Sequence, residues 1–241
     1  MATQIINNDT DYQVDIFEDH TDLTLVEGYD LAVSNANGIY NEHFRDAHMV
    51  INGHIDVLSE QGGFAGIVTY GTGDLIEVGD KGTISGPRGI ELDGDDETVV
   101  NRGSIDGTNF GIRGSKGDDH ITNFGTISGG YALVMDDGAD TIINRGKIIG
   151  SLETGEGADH IDLRGGTVKG LVDGQDGNDV YLIGKNLPHI ADSAGHDTLR
   201  TTASFTMKPS QGLEVVTAIG HKDVDVTGDK NGNTLGGNAG D

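Results

Sequence analysis

The feature that most constrains the fold of this chain is a five-residue phrase, Gly-x-Ile/Val-x-Gly, that recurs at nearly even intervals. An acidic, glycine-bearing cluster follows each copy of the phrase. The central apolar residues lie 21, 22, 21 and 20 positions apart, at Ile84, Ile105, Ile127, Ile148 and Val168. A period near 20 with a turn in each unit predicts a solenoid. One such unit cannot bury its apolar face alone, so the units must stack into a common core.

Each unit offers three short candidate strands: the phrase itself, an apolar run after it, and a third run after the acidic cluster. In one unit these are residues 82–86, 90–92 and 98–100. Runs this short, separated by glycine, make poor helices. The alternation around Ile84 suits strands that pack on one face. The sequence therefore predicts an all-β fold, a single-stranded parallel β-helix with rungs of about 20 residues, and leaves its handedness open.

Composition limits the partners of such a solenoid. Lys and Arg number 15 against 40 Asp and Glu, which gives a net charge of −25. Nucleic acids and anionic membranes both select basic surfaces, so the charge argues against them and favours cations. With 40 glycines and only 34% hydrophobic residues, the composition predicts a thin aliphatic core. The chain has no cysteine, so no disulfide can form.

The repeat divides the chain into three predicted segments. Residues 1–49 fit it poorly and are expected to form an N-terminal cap, with strands or a hairpin around Val14 and Leu23 and a short helical turn over 41–48. Residues 50–184 carry the parallel β-helix, and residues 185–241 form a β segment of different character. No cleavable N-terminal signal is expected, and no run reaches the roughly 18 apolar residues of a membrane span.

The C-terminal segment contains several recognisable phrases. These are Gly-Asn-Asp-Val-Tyr-Leu at 177–182, Asp-Ser-Ala-Gly-His-Asp-Thr-Leu at 192–199, and Asn-Thr-Leu-Gly-Gly-Asn-Ala-Gly-Asp at 233–241. They resemble the RTX, or haemolysin-type, calcium-binding repeat family. The last repeat stops at Asp241, which indicates a truncated array. The resemblance implies a secreted protein exported by a type I route, with Ca²⁺ as its cofactor.

In that family, turn aspartates and nearby carbonyl groups bind Ca²⁺ between successive turns. Carried over residue by residue, the resemblance implies calcium ligands at Asp179, Asp197 and Asp241. The acidic clusters upstream repeat the Gly-x-Asp phrase with a longer spacing, and neighbouring acids adjoin some of these turns. The metal-ligand candidates added on this basis are Asp96, Asp119, Asp137, Asp140, Asp159 and Asp176.

Physical reasoning supports a cation there independently of the resemblance. Stacked rungs would place the turn aspartates in a file at strand spacing, where neighbouring charges repel by about 1 kcal/mol even in water. Calcium accepts six to eight oxygen ligands in flexible geometry, whereas Mg²⁺ demands strict octahedra. The alternative interpretation is that these acids are solvated turn residues, since Asp and Gly favour turns for backbone reasons alone.

The sequence thus predicts a secreted, calcium-binding β-helix module of an RTX-type exoprotein or adhesin, rather than an enzyme, because no convincing catalytic constellation is present. A polysaccharide-acting or glycan-binding β-helix is the first alternative, with a polysaccharide or cell-surface partner. An ice-binding solenoid is a remote third, because its threonine ladder is interrupted at Lys147. Asn101, Asn123 and Asn144 recur in register, and we expect them to stack and satisfy backbone groups.

Overall fold

The computed structural model describes residues 3–59 and 63–240 and is a β-solenoid of about 11 turns, with rungs about 21 residues apart. The described part of the chain is all-β, contains no helix, and pairs its strands in parallel. This confirms the parallel β-helix predicted from the repeat. None of its described segments is a helix long and apolar enough to cross a membrane.

Two long sheets run the length of the solenoid, and two short sheets lie beside them. The first sheet contains β1 (Thr3–Ile6), β3 (Asp22–Leu25), β6 (His48–Ile51), β9 (Leu75–Val78), β11 (Thr98–Asn101), β13 (His120–Asn123), β15 (Thr141–Asn144), β18 (His160–Asp162), β22 (Val180–Ile183), β25 (Asp197–Thr201), β27 (Leu213–Ala218) and β29 (Thr234–Gly236). The second sheet contains β2 (Val14–Ile16), β4 (Asp30–Ser34), β5 (Ile39–Asn41), β7 (His54–Leu58), β8 (Ala65–Thr69), β10 (Thr83–Leu92), β12 (Ser104–Arg113), β14 (Thr126–Val134), β16 (Lys147–Glu153), β19 (Thr167–Lys169), β20 (Leu171–Asp173) and β23 (His189–Ile190). The short sheets are β17 (Glu156–Gly157), β21 (Asp176–Gly177) and β24 (Ala194–Gly195), and β26 (Phe205–Thr206) with β28 (Val226–Thr227).

The three strands predicted for each unit are present, but two of them are often continuous. In β10, β12, β14 and β16 the Gly-x-Ile-x-Gly phrase and the apolar run after it form one strand. A shift of register between Gly86 and Arg88 marks the join in β10. Before these rungs the two runs are separate strands, since β10 pairs with both β7 and β8. The prediction of three separate strands per rung is therefore wrong for the central rungs, because the glycine at the join bends the strand without ending it.

The core is a narrow file of aliphatic side chains from the two long sheets. Ile84, Ile105 and Ile127 stack in register from the second sheet and are at most 1% exposed. Ile121 and Ile142 face them from the first sheet, and both are fully buried. Thr83 and Ser85 flank Ile84 and are only partly buried, as the alternation predicts. Each rung extends this apolar file, and its burial is the main force that holds the stack together.

The N-terminal segment is built from the same rungs as the rest of the solenoid. Strand β2, which contains Val14, pairs in parallel with β5, and β3 pairs in parallel with β1 and β6. The hairpin alternative is therefore wrong. The helical turn predicted over 41–48 is also wrong, because the Asn41 side chain closes that turn by bonding both the N–H and the carbonyl of Phe44. The division into three segments stays a prediction, and the first sheet runs through both proposed boundaries.

The predicted asparagine stack is confirmed. Asn101 donates from Nδ2 to Oδ1 of Asn123, and Asn123 donates in the same way to Asn144, both at 2.8 Å. All three side chains are fully buried. Each also donates to a backbone carbonyl of a following rung, such as that of Thr126 for Asn101. The stack therefore satisfies backbone groups at the corner after the first sheet.

Candidate functional site

The acidic clusters form the corner that leads into the first sheet. The residue at the entry to each strand there points into the solenoid, because side chains alternate and the second strand residue is buried. We call this file of residues the inner acidic column. It consists of Asp74, Glu97, Asp119, Asp140, Asp159, Asp179 and Asp197, all at most 1% exposed.

Hydrogen bonds tie the inner acidic column from rung to rung. The backbone N–H of Asp119 donates to Oδ1 of Asp140 at 2.8 Å, and that of Asp140 donates to Asp159 at 2.7 Å. The same bond joins Asp159 to Asp179 at 2.8 Å and Asp179 to Asp197 at 2.9 Å. Each carboxylate thus replaces a missing backbone acceptor at the corner, where strand pairing is interrupted.

The second carboxylate oxygen is left without a partner in most of the column. It is buried in Asp119, Asp140, Asp159 and Asp179, and no described group donates a hydrogen bond to it. The Thr154 hydroxyl lies near Asp159 but donates to the carbonyl of Gly174 at 3.2 Å. A buried, unpaired carboxylate oxygen is costly, so each of these positions requires a proton, a water molecule or a cation.

Burial accordingly raises the pKa of the column's acids. The pKa of Asp119 rises to about 7 and that of Asp140 to about 8. For Glu97, burial and the neighbouring charge of Asp119 together raise the pKa to about 9. No Lys or Arg forms an ion pair with any of these three acids in the described structure. The protein therefore supplies no cationic group to stabilise their ionised forms, which burial disfavours.

Three acids converge at the C-terminal end of the column. Asp179, Asp192 and Asp197 each offer an oxygen, and the three oxygens lie within 4.8 Å of one another. We call this cluster the aspartate trio. Asp192 is 8% exposed and Asp179 is fully buried. Burial raises the pKa of each member to about 6, so all three are substantially ionised at neutral pH.

Tyr181 lies in the core and forms a hydrogen bond to one member of the trio. Its ring is fully buried, and its hydroxyl donates to Oδ2 of Asp192 at 2.5 Å while accepting the N–H of Gly174 at 2.6 Å. A side chain on Gly174 would overlap with both Oδ2 of Asp179 and the Tyr181 hydroxyl. Glycine at this position therefore keeps open the space into which the trio points.

The predicted metal ligands divide into an inner and an outer group. Asp119, Asp140, Asp159, Asp179 and Asp197 all lie in the inner acidic column. Three others are exposed on the outside of the same corner, and Asp241 lies outside the described residues. The exposed three are Asp96, Asp137 and Asp176.

Three buried acids, Asp74, Glu97 and Asp192, are absent from the predicted metal ligands. Glu97 takes the inner position of its rung in place of Asp96, because the extra residue in that cluster shifts the alternation by one. Asp192 begins the Asp-x-x-Gly-x-Asp phrase at 192–197, of which the family resemblance implies only Asp197 as a ligand. Its spacing of five residues from Asp197 was the available signal.

Other polar features of the sequence have structural roles. Asp162 is held by Arg145 at 2.6 Å and by Arg164 at 2.8 Å, so Arg145 balances the charge of a neighbouring acid. Burial would raise the pKa of Asp162, but hydrogen bonds from the two arginines outweigh it and hold the pKa well below its ordinary value. Thr126 and Thr167 do lie in one outward file, with Lys147 between them.

Comparison with known proteins adds no assignment. No protein-family model, curated protein or solved structure matches this chain. The inference of function therefore rests on the geometry of the acidic corner and on the resemblance carried by the C-terminal phrases.

Proposed function

We propose that this protein is a calcium-binding β-solenoid module whose aspartate trio holds a divalent cation between two neighbouring rungs. The observation that carries the proposal is the approach of three buried carboxylates, Asp179, Asp192 and Asp197, within 4.8 Å. Like charges this close repel strongly inside a protein, and a divalent cation between them turns that repulsion into attraction. The unpaired Oδ2 of Asp179 gains a partner at the same time.

The chemistry of the donors favours Ca²⁺ over other metals. The trio supplies only oxygen, whereas Zn²⁺ favours nitrogen and sulfur ligands. The three oxygens lie within 4.8 Å of one another, close enough to share one cation, and Ca²⁺ accepts carboxylate oxygens in irregular geometry. Mg²⁺ needs a strict octahedron and retains several waters, so three carboxylates fixed by two rungs suit it less well.

A cation at the trio would couple binding to folding. The ligands come from two rungs that lie far apart in an unfolded chain, so only the stacked state offers them together. Extracellular fluids are rich in calcium and the cytosol is poor in it. We therefore place the module outside the cell, in an RTX-type exoprotein or adhesin that folds after export. The C-terminal phrases and the net charge of −25 support this setting.

A calcium titration followed by thermal unfolding tests the proposal. At about 100 times Kd, calcium adds about 2.7 kcal/mol of stability, or roughly 5–10 °C in Tm for a chain of this size. We expect Asp197→Asn to abolish this gain, and Asp176→Asn to retain it because Asp176 is exposed outside the corner. Magnesium serves as the control cation.

Two results would contradict the proposal. One is a wild-type Tm that is equal in EDTA and in calcium. The other is an Asp197→Asn variant that responds to calcium as fully as the wild type. In either case the glycan-binding alternative becomes the leading hypothesis, to be tested by glycan-array screening of the folded protein.

A further inference from the structure

Two neighbouring acids of the inner acidic column, Glu97 and Asp119, have more unpaired carboxylate oxygens than any other neighbouring two in the described chain. Glu97 is fully buried, and neither Oε1 nor Oε2 accepts a hydrogen bond from any residue of the described chain. Asp119, one rung further on, is 1% exposed, and its Oδ2 is equally unpaired. Three buried carboxylate oxygens on neighbouring rungs thus have no donor within the described ranges except a proton shared by the two carboxyls, which lie within hydrogen-bonding reach of each other.

The rung before this pair shows how the fold satisfies a buried acid from its own residues. Asp74 occupies the equivalent inner position and is fully buried. Its Oδ1 accepts the N–H of Ala47 at 2.8 Å, and its Oδ2 accepts hydrogen bonds from Asn41, at 2.6 Å, and from the Thr69 hydroxyl. Protein donors therefore satisfy both oxygens of Asp74. The side chains of Glu97 and Asp119 receive no comparable set.

The surroundings of the pair point to a cation. The charged groups that act most strongly on Glu97 are acids, namely Asp119, Asp74 and Asp95. Glycines border both carboxylates, and a Cβ on Gly114 would lie 2.9 Å from Oδ2 of Asp119 and 3.0 Å from both the carbonyl oxygen and Cε of Met135. A carboxylate and a carbonyl oxygen thus border the same small space, beside the Met135 methyl group. Carboxylate and carbonyl oxygens are the ligands that Ca²⁺ selects.

We propose that Glu97 and Asp119 hold a second divalent cation. The inference extends the proposed calcium binding, but it rests on different residues and does not require the trio. Asp119 and Asp179 are three rungs apart, or about 14 Å at ordinary strand spacing. Variants at one site should therefore leave the other site intact. In Asp140 and Asp159, which lie between the two sites, only one oxygen of each is unpaired.

Equilibrium dialysis with radioactive calcium measures the inferred site directly. We expect Glu97→Gln to bind one calcium fewer per chain than the wild type, and Asp197→Asn to lose a different one. The double variant should then lose two. Asp119→Asn is a second probe of the same site, because its Oδ1 can still accept the N–H of Glu97, a bond of 2.8 Å in the wild type.

The outcomes separate this inference from the proposed function. Loss of one calcium in Glu97→Gln or Asp119→Asn, with a native circular dichroism spectrum, supports the second site, provided that Asp197→Asn still binds calcium. Unchanged stoichiometry in a folded Glu97→Gln variant overturns it, and the pair then holds a proton in place of a metal. An Asp197→Asn variant that binds no calcium at all also overturns it.

Discussion

The backbone N–H of Asp179 donates to Oδ1 of Asp197 at 2.9 Å, so one rung's main chain is bonded to the next rung's carboxylate. The same carboxylate is a member of the aspartate trio. A single side chain therefore connects two rungs and, under the proposed function, would also offer an oxygen to the cation between them. Structural and proposed cation-binding roles coincide at this residue, and variants must be chosen to separate them.

Substitutions at Asp140 isolate the structural role, because Asp140 lies outside both proposed cation sites. Asp140→Ala removes the acceptor for the N–H of Asp119 and leaves that group buried and unpaired. We expect a loss of about 1–3 kcal/mol in the free energy of unfolding, measured by urea denaturation in EDTA. Asp140→Asn keeps the oxygen acceptor, and its Nδ2 can donate to the unpaired oxygen of a neighbouring acid. It should therefore be at least as stable as the wild type in EDTA, and a loss equal to that of Asp140→Ala would contradict this account.

The stability of the calcium-free protein should depend on pH in a defined direction. The pKa values of Asp119, Asp140 and Glu97 are raised to about 7, about 8 and about 9. Groups with raised pKa values in the folded state contribute stability that is fully present below their unfolded pKa values and is lost as pH rises. In EDTA, Tm should therefore fall progressively between pH 6 and 9. A Tm that is constant over that range would show that the column is solvated.

Terbium luminescence should report on the trio through Tyr181. The chain has no tryptophan, and the Tyr181 hydroxyl bonds directly to Asp192, so this ring is well placed to sensitise a bound Tb³⁺ ion. We expect Tyr181→Phe to lose most of the sensitised emission and to keep metal binding with reduced affinity. Asp197→Asn should lose both the emission and this binding site. Equal emission from Tyr181→Phe would place the ion near another tyrosine.

A further trio can be introduced at an earlier rung. Thr154 lies five residues before Asp159, as Asp192 lies five residues before Asp197, and it is fully buried. Thr154→Asp would add a carboxylate beside Asp159 and Asp140. We expect one additional calcium per chain by equilibrium dialysis, and lower stability than the wild type in EDTA because another acid is buried. Thr154→Asn provides the uncharged control and should bind no additional calcium.

The repeat predicted the fold because its period and its alternation act together. The spacing of Ile84, Ile105 and Ile127 defined the rungs, and the alternation around each defined the buried face. The side of the corner on which an acid lies was harder to predict. One extra residue in an acidic cluster reverses which side chains face the core. In the cluster at 93–97, Glu97 rather than Asp96 therefore points inward.

The partners of the buried acids could not be read from the sequence. The hydrogen bond from Asn41 to Asp74 joins residues from different rungs, and neither Asn41 nor Thr69, the other side-chain donor to Asp74, belongs to a repeated phrase. Asp192 likewise has a role that depends on the approach of Asp179 from the preceding rung. Such contacts are created by stacking, and a pattern within one unit does not contain them.

The hydrogen bonds along the inner acidic column make each rung depend chiefly on its immediate neighbours. In such a one-dimensional stack, the local opening of one rung separates two stacked segments but leaves each of them folded. A cation held by Asp179 and Asp197 would stabilise only the contact between the two rungs that carry these residues. We therefore expect amide hydrogen exchange to slow in those two rungs when calcium is added, and to stay unchanged several rungs away.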